Sequence, residues 1–185
     1  IAVLVAYLTV RRRGTLSNTL DTMTMVPYVV PGLVIGIALV TTFSQGPLVL
    51  TGTFTIMVLA LTLRRLPYAV RSTTALMYQI SPSIEEAAIS LGASKTRTLL
   101  RIIVPALAPG ILAGAVLSWV TIITELSTTL FLYNTSTQTL SLGIYAEVIR
   151  GQLGTAAALS TLLLILTMVS LFVLMRLPGN RDTMM

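Results

Sequence analysis

The sequence predicts an all-α bundle of membrane-spanning helices, and three observations carry that prediction. The stretches 22–44, 104–124 and 155–175 hold no charged residue, and each reaches the ~20 apolar residues a helix needs to cross ~30 Å of hydrocarbon. The chain as a whole is 55% hydrophobic and 10% charged, with a mean hydropathy of +0.91, against ~25% charge in an average soluble domain. Cysteine and histidine are both absent, which removes disulfides, thiolate and imidazole metal sites, and catalysis by either side chain.

Residues 1–10 are apolar but half the length of a span, and the chain starts at Ile1 rather than Met. They read as the cytoplasmic end of a truncated first helix, so a fragment of a longer chain is expected. Arg11, Arg12 and Arg13 follow this apolar run instead of preceding it, the reverse of a secretory signal. In 22–44, Pro27 and Pro31 remove ladder hydrogen bonds and, with Gly32, permit a kink whose freed carbonyls need protein or water partners. That helix is either a wall of a transport path or simply a membrane helix that tolerates proline. Gln45, Gly46 and Pro47 make a tight turn, and the eighteen charge-free residues of 46–63 give a span near the lower length limit. After a loop at 67–103 the chain crosses again through 104–124. Residues 133–139 are polar, and 140–150 repeat apolar residues at near-helical spacing, with Glu147 and Arg150 three apart and able to pair. The last span, 155–175, contains eleven Leu, Ile, Val and Phe residues, each favouring insertion by about 0.3–0.6 kcal/mol.

Basic residues set the orientation. Arg11, Arg12, Arg13, Arg64, Arg65, Arg71, Lys95, Arg97, Arg101, Arg176 and Arg181 fall on one side of these spans and Arg150 alone on the other, so the first side is cytoplasmic. The path then runs from a cytoplasmic segment at 11–21 out through 22–44, in through 48–66, out through 104–124 and in through 155–175 to a cytoplasmic tail, with 126–153 at the outer face. A sequence pI near 10.3 is thus a topology signal rather than a nucleic-acid footprint, and no nucleic-acid partner is expected.

The loop 81–103 has mechanical features. Ser81-Pro82, and Ser83 with Glu86 three residues on, are helix-start signals, the second a capping box. A short helix over 83–91 should end at Gly92, which adopts a left-handed conformation without a Cβ penalty. Ser94 can cap a second short helix carrying Lys95, Arg97 and Arg101, with Pro105 near the start of the next span. Ala87 and Ala88 present almost no side chain, so a partner could approach the backbone closely, while Glu85 and Glu86 favour the helix N-terminus. On Ser83 and Glu86 alone, an ordinary capped surface helix would suffice.

The full pattern goes further. Glu86-Ala87-Ala88, Gly92, Ile102 and Pro105, with Val104 where the pattern has Leu, resemble the cytoplasmic loop of binding-protein-dependent ATP-binding-cassette (ABC) importer permeases. The resemblance covers about 22–175 and implies a type I importer permease fold (MetI-like) of about five helices here, the first truncated. Residues 1–185 would be a single permease domain, either a truncated subunit or half of a fused tandem. The resemblance also makes 81–103 a coupling loop to a cytoplasmic ATPase dimer, with Ser83, Glu85, Glu86, Ala87, Ala88, Gly92, Ala93, Ser94, Lys95, Arg97, Ile102 and Pro105 as the coupling residues. The chain has no GxxxxGK[ST] sequence to cradle phosphates. It is therefore expected not to be an enzyme and to bind no cofactor, with ATP and Mg on the partner ATPase. A second permease domain, an extracytoplasmic substrate-binding protein docking near 45–47 and 133–150, and the lipid bilayer of a bacterial inner membrane complete the implied partners.

Glu125 follows twenty-one uncharged residues and is expected near the outer edge of the membrane, where a charge costs less. It could contact a cationic or metal substrate, form a buried hydrogen bond or anchor the interface. The stretch Glu125, Leu126, Ser127, Thr128, Thr129, Leu130 is similar to a segment of the ferric-iron importer group, shared in part by thiamine and phosphonate permeases. Pro27, Pro31, Glu125, Ser127 and Thr128 are the candidate pathway residues. Trp119, the methionines and Gly114 read as helix packing. A secondary transporter or channel, the competing class, would usually carry ionisable residues within its spans. The four complete spans read here have none.

Overall fold

The computed structural model describes residues 1–12 and 14–176. Arg13 and Arg181, counted above on the cytoplasmic side, lie outside the described residues, as does the tail. Among the described residues ten α-helices follow in order: α1 (Ala2–Arg11), α2 (Thr15–Val29), α3 (Gly32–Phe43), α4 (Phe54–Gln79), α5 (Pro82–Ser90), α6 (Lys95–Thr98), α7 (Val104–Ala106), α8 (Ala108–Ile123), α9 (Leu140–Ile149) and α10 (Leu153–Arg176). A π-helical turn, Leu99–Ile103, joins α6 to α7, and a 3₁₀ turn, Thr129–Phe131, precedes α9. Among the described residues there is no strand.

Three expected spans take a different course. The stretch 22–44 is not one helix: α2 starts earlier, at Thr15, and stops at Val29. Pro31 then stands at φ −56°, ψ 140° before α3 begins. A residue preceding proline is pushed away from the helical region, and Pro31 has no amide to continue the ladder. Pro27, by contrast, is accommodated within α2. The span expected over 46–63 begins only at Phe54, after a turn in which the Leu50 amide and the Thr51 hydroxyl both reach the Phe43 carbonyl at 3.0 Å. It then runs through Arg64, Arg65 and Pro67 to Gln79, so the first third of the loop 67–103 is helix. The stretch 104–124 is interrupted at Leu107, where the pieces on either side meet at 60°. Pro109 removes an amide there, and its ring crowds the Pro105 carbonyl four residues back. Among the described residues α10 alone is a single helix long and apolar enough to cross a membrane, with up to three such spans if each bent pair counts as one.

The chain forms two compact units. The first comprises Ile1–Val26 and Leu66–Ser118. Its core is Met77, Ile103 and Leu107, all fully buried, with Val3, Tyr7, Val10 and Leu76 around them. Within it, Gly110 and Gly114 bring α8 onto α4: the Ser72 hydroxyl donates to the Gly110 carbonyl, and a Cβ on Gly114 would lie 2.9 Å from the Ala69 Cα. The second unit comprises Pro27–Arg65 and the described residues from Trp119 to Arg176. Ile56, Met57, Ala60 and Leu132 form its core, with Leu39, Val40 and Phe43 against them. As its sequence spacing suggested, Arg150 Nη1 lies 2.7 Å from Glu147 Oε1 at the end of α9.

Candidate functional site: an elbow and a buried ion triad

The elbow is built from local sequence. Ser81, extended at φ −62°, ψ 136°, caps α5 and Pro82 is its first residue. The cap is therefore Ser81 and not the Ser83 of the expected capping box: the Ser83 amide donates to Ser81 Oγ at 3.4 Å, and the two hydroxyls pair at 2.7 Å. Proline fixes the reason, since it suits the first helical position and forces the preceding residue to be extended. At the other end Gly92 takes φ +87°. Its amide bonds the Ile89 carbonyl at 2.9 Å and the Ala93 amide bonds that of Ala88 at 3.0 Å, the paired bonds of a Schellman motif. Nothing lies within 4 Å of where a Gly92 Cβ would be, so glycine is needed there for conformation and not for space.

Ser94 caps the second arm, accepting from the Arg97 amide at 3.3 Å. The arm continues from α6 through the π turn into α7 as one broken rod. Ser94→Ala is expected to cost about 1 kcal/mol of local stability. Hydrogen exchange should accelerate at the α6 amides and leave α5 unchanged.

Exposure sorts the expected coupling residues. Glu86, Ala87, Gly92, Ser94, Lys95 and Arg97 are exposed, as are Ser83 and Pro105, while Ala93 and Ile102 are half-buried. Ala88, expected to face a partner, is buried instead. Successive helical residues point about 100° apart, so Ala87 and Ala88 cannot share one exposed face. Two features escaped sequence reasoning. Leu91, at the tip of the elbow, is 90% exposed, an apolar knob whose only sequence signal is its place before Gly92. Glu85 turns inward: its Oε1 takes Arg11 Nε at 2.5 Å and its Oε2 takes the Tyr7 hydroxyl at 2.9 Å. No local pattern signals contacts across more than seventy residues. Beside them lies a cavity of about 240 Å³ lined by Arg11, Pro82, Glu86 and Lys95 among others.

The second constellation surrounds Glu125, which is buried. Arg64 Nε lies 3.1 Å from its Oε2, and Arg65 Nη2 binds the same oxygen. Its Oε1 accepts from the Thr128 amide at 3.0 Å and the Thr128 hydroxyl at 3.1 Å. The two arginines also reach carbonyls, Arg64 that of Val30 at 3.4 Å and Arg65 that of Thr121 at 2.8 Å. This corrects the charge map: Arg64 and Arg65 cannot sit on the opposite side of a membrane from Glu125, because they touch it. Charge sorting assumed that basic residues end helices, whereas paired charges can stand inside one. With about four acceptor directions available to a carboxylate and four donors on it, Glu125 has none left for a cation. Of the other pathway candidates, Thr128 and Pro27 are buried, and Pro31 and Ser127 exposed. Gly32 permits the assembly, since a Cβ there would come within 2.8 Å of Arg64 Nη1.

Comparison with known proteins decides the family. Residues 1–179 match the model of the binding-protein-dependent transport system inner membrane component. The chain belongs to that family. It is 33% identical over 165 residues, 89% of its length, to the ferric transport system permease protein FbpB of Actinobacillus pleuropneumoniae, of which it covers 24%. A putative ferric transport system permease protein of Haemophilus influenzae is 35% identical over 73% of the chain, which covers 21% of it. A putative 2-aminoethylphosphonate permease of Salmonella typhimurium is 30% identical over 82% of the chain and 57% of the relative. The chain thus spans about a quarter of the length of the ferric relatives. In fold it resembles a bacterial ABC transporter involved in the import of alginate, with a TM-score of 0.75 and 17% identity, covering 94% of this chain and 69% of that one. The alginate transporter in complex with its alginate-bound periplasmic protein gives 0.68 at 19% identity, over 94% and 67%.

Proposed function

We propose that the chain is membrane-embedded permease machinery of an ABC importer, and that α5 to α7 form its coupling elbow. The observation that carries this is the Glu86-Ala87-Ala88 turn, ended by a left-handed Gly92 and capped again at Ser94, in a chain of the inner-membrane component family. The elbow offers the exposed carboxylate of Glu86, the small Ala87 and the apolar tip Leu91 to a cytoplasmic ATPase dimer. That ATPase binds ATP and Mg and does the hydrolysis, so this chain is a transporter part and not an enzyme. It lies in a bacterial inner membrane with elbow and C-terminus inside. It works with a second permease domain, and an extracytoplasmic binding protein delivers the solute.

Ferric iron or a related ligand is the favoured solute, from the two ferric relatives, with thiamine, a phosphonate or a polyamine as the alternatives, of which the phosphonate has a relative behind it. The test is uptake into liposomes holding the permease and its ATPase. Glu86→Lys and Gly92→Pro are each expected to bring ATP-driven uptake to background while the protein still inserts. Full uptake in both variants would overturn the coupling assignment.

A further inference from the structure

Resting on that reading, we infer that Glu85 is a positioning residue that makes α1 a second output arm of the coupling elbow. Two adjacent carboxylates divide the work. Glu86 is exposed, whereas Glu85 faces α1: each of its oxygens takes one donor from that helix, Arg11 at 2.5 Å and Tyr7 at 2.9 Å. Those donors are four residues apart, on one face of a helix. Arg11 also donates through Nη2 to the Ile80 carbonyl at 2.7 Å, at the corner where α4 gives way to α5. The last turn of α1 is therefore pinned to both sides of that corner. The Arg11 and Glu85 side chains are each 13% exposed, so solvent and salt screen the pair far less than a surface ion pair.

The same stretch of α1 is held a second way. Val3, Tyr7 and Val10 pack on the Met77, Ile103 and Leu107 core, which joins the end of α4 to the second arm of the elbow. A force that tilts α5 must carry α1 with it or break a part-buried ion pair. A pair that merely stabilised α5 would serve as well with its own neighbours; this one reaches back 74 and 78 residues.

Permease and ATPase in liposomes provide the test, with import and ATP hydrolysis measured together. Glu85→Gln is expected to lower solute imported per ATP hydrolysed by at least about fivefold, the lower end of typical coupling between linked sites, with hydrolysis falling far less than import. The exchanged pair Arg11→Glu with Glu85→Arg should recover part of the loss, since it restores the ion pair but not the bond to the Ile80 carbonyl, and Tyr7→Phe should give an intermediate ratio, a milder check if the exchange impairs folding. An unchanged ratio in Glu85→Gln, or import and hydrolysis falling in proportion, would overturn the inference. Glu86→Lys separates this from the coupling assignment itself: if Glu86→Lys stops both import and stimulated hydrolysis while Glu85→Gln leaves the ratio intact, the elbow docks but α1 is not its arm.

Discussion

Glu125→Ala should be the most damaging single substitution at the triad, costing about 3–5 kcal/mol, the usual result of removing one partner from a buried ion pair. The carboxylate holds Arg64 and Arg65 together and also receives two bonds from Thr128. Without it, two guanidiniums would stand side by side with the carboxylate between them removed. Glu125→Gln keeps the shape and an acceptor but loses the charge, so it should be nearly as harmful. Replacing all three charged residues by apolar ones of similar volume should be far milder, because the desolvation cost disappears along with the attraction. Trp119, the single tryptophan, lies six residues before Glu125 and reports the transition by its fluorescence on heating in detergent. Equal melting temperatures for Glu125→Ala and the parent protein would mean that the triad holds nothing together. A triad-free variant that melts normally but imports poorly would assign the charges to transport.

How legible these parts were depends on the distance over which their causes act. The elbow was readable because each of its determinants is local: Pro82 starts a helix, Gly92 ends it with a positive φ, and Ser94 caps the next within three residues. Two helix starts were legible, Ser81-Pro82 and the Ser83–Glu86 capping box, and the constraint proline puts on its predecessor decides for the first. The triad was not readable. Its partners are about sixty residues apart, and a hydropathy reading takes Arg64 and Arg65 as the end of a span when they are the eleventh and twelfth residues of a helix of 26. Pairing lowers the cost of a charge within a helix, and pairing is a tertiary fact. Glu85 repeats the lesson: its neighbours favoured a role in the helix first turn, but its contacts are with α1.

The close contact of α4 and α8 yields the second large expected effect. Gly110 and Gly114 are four apart on α8, the small-residue spacing that lets two membrane helices touch backbone to backbone. A Cβ on Gly114 would meet Ser72 Oγ at 2.8 Å and the Ala69 Cα at 2.9 Å; on Gly110 it would meet the Ser72 carbonyl at 3.1 Å. Gly114→Val must therefore force the helices apart, weaken the Ser72 bond to the Gly110 carbonyl and strand polar groups, at about 3 kcal/mol once overpacking and the lost bond are combined. Gly114→Ala should take a smaller share of the same penalty. Gly143 in α9 is the control, since the nearest atom to its Cβ position is 4.0 Å away: Gly143→Ala should gain up to about 1 kcal/mol from helix propensity alone. Thermal melts of the four proteins should rank Gly143→Ala, parent, Gly114→Ala, Gly114→Val. That order matters for mechanism, because α4 enters the elbow and α8 leaves it. If a glycine face locks the two as one body, tilting the elbow turns them together, and Gly114→Val should uncouple import from hydrolysis at temperatures where the protein is still folded.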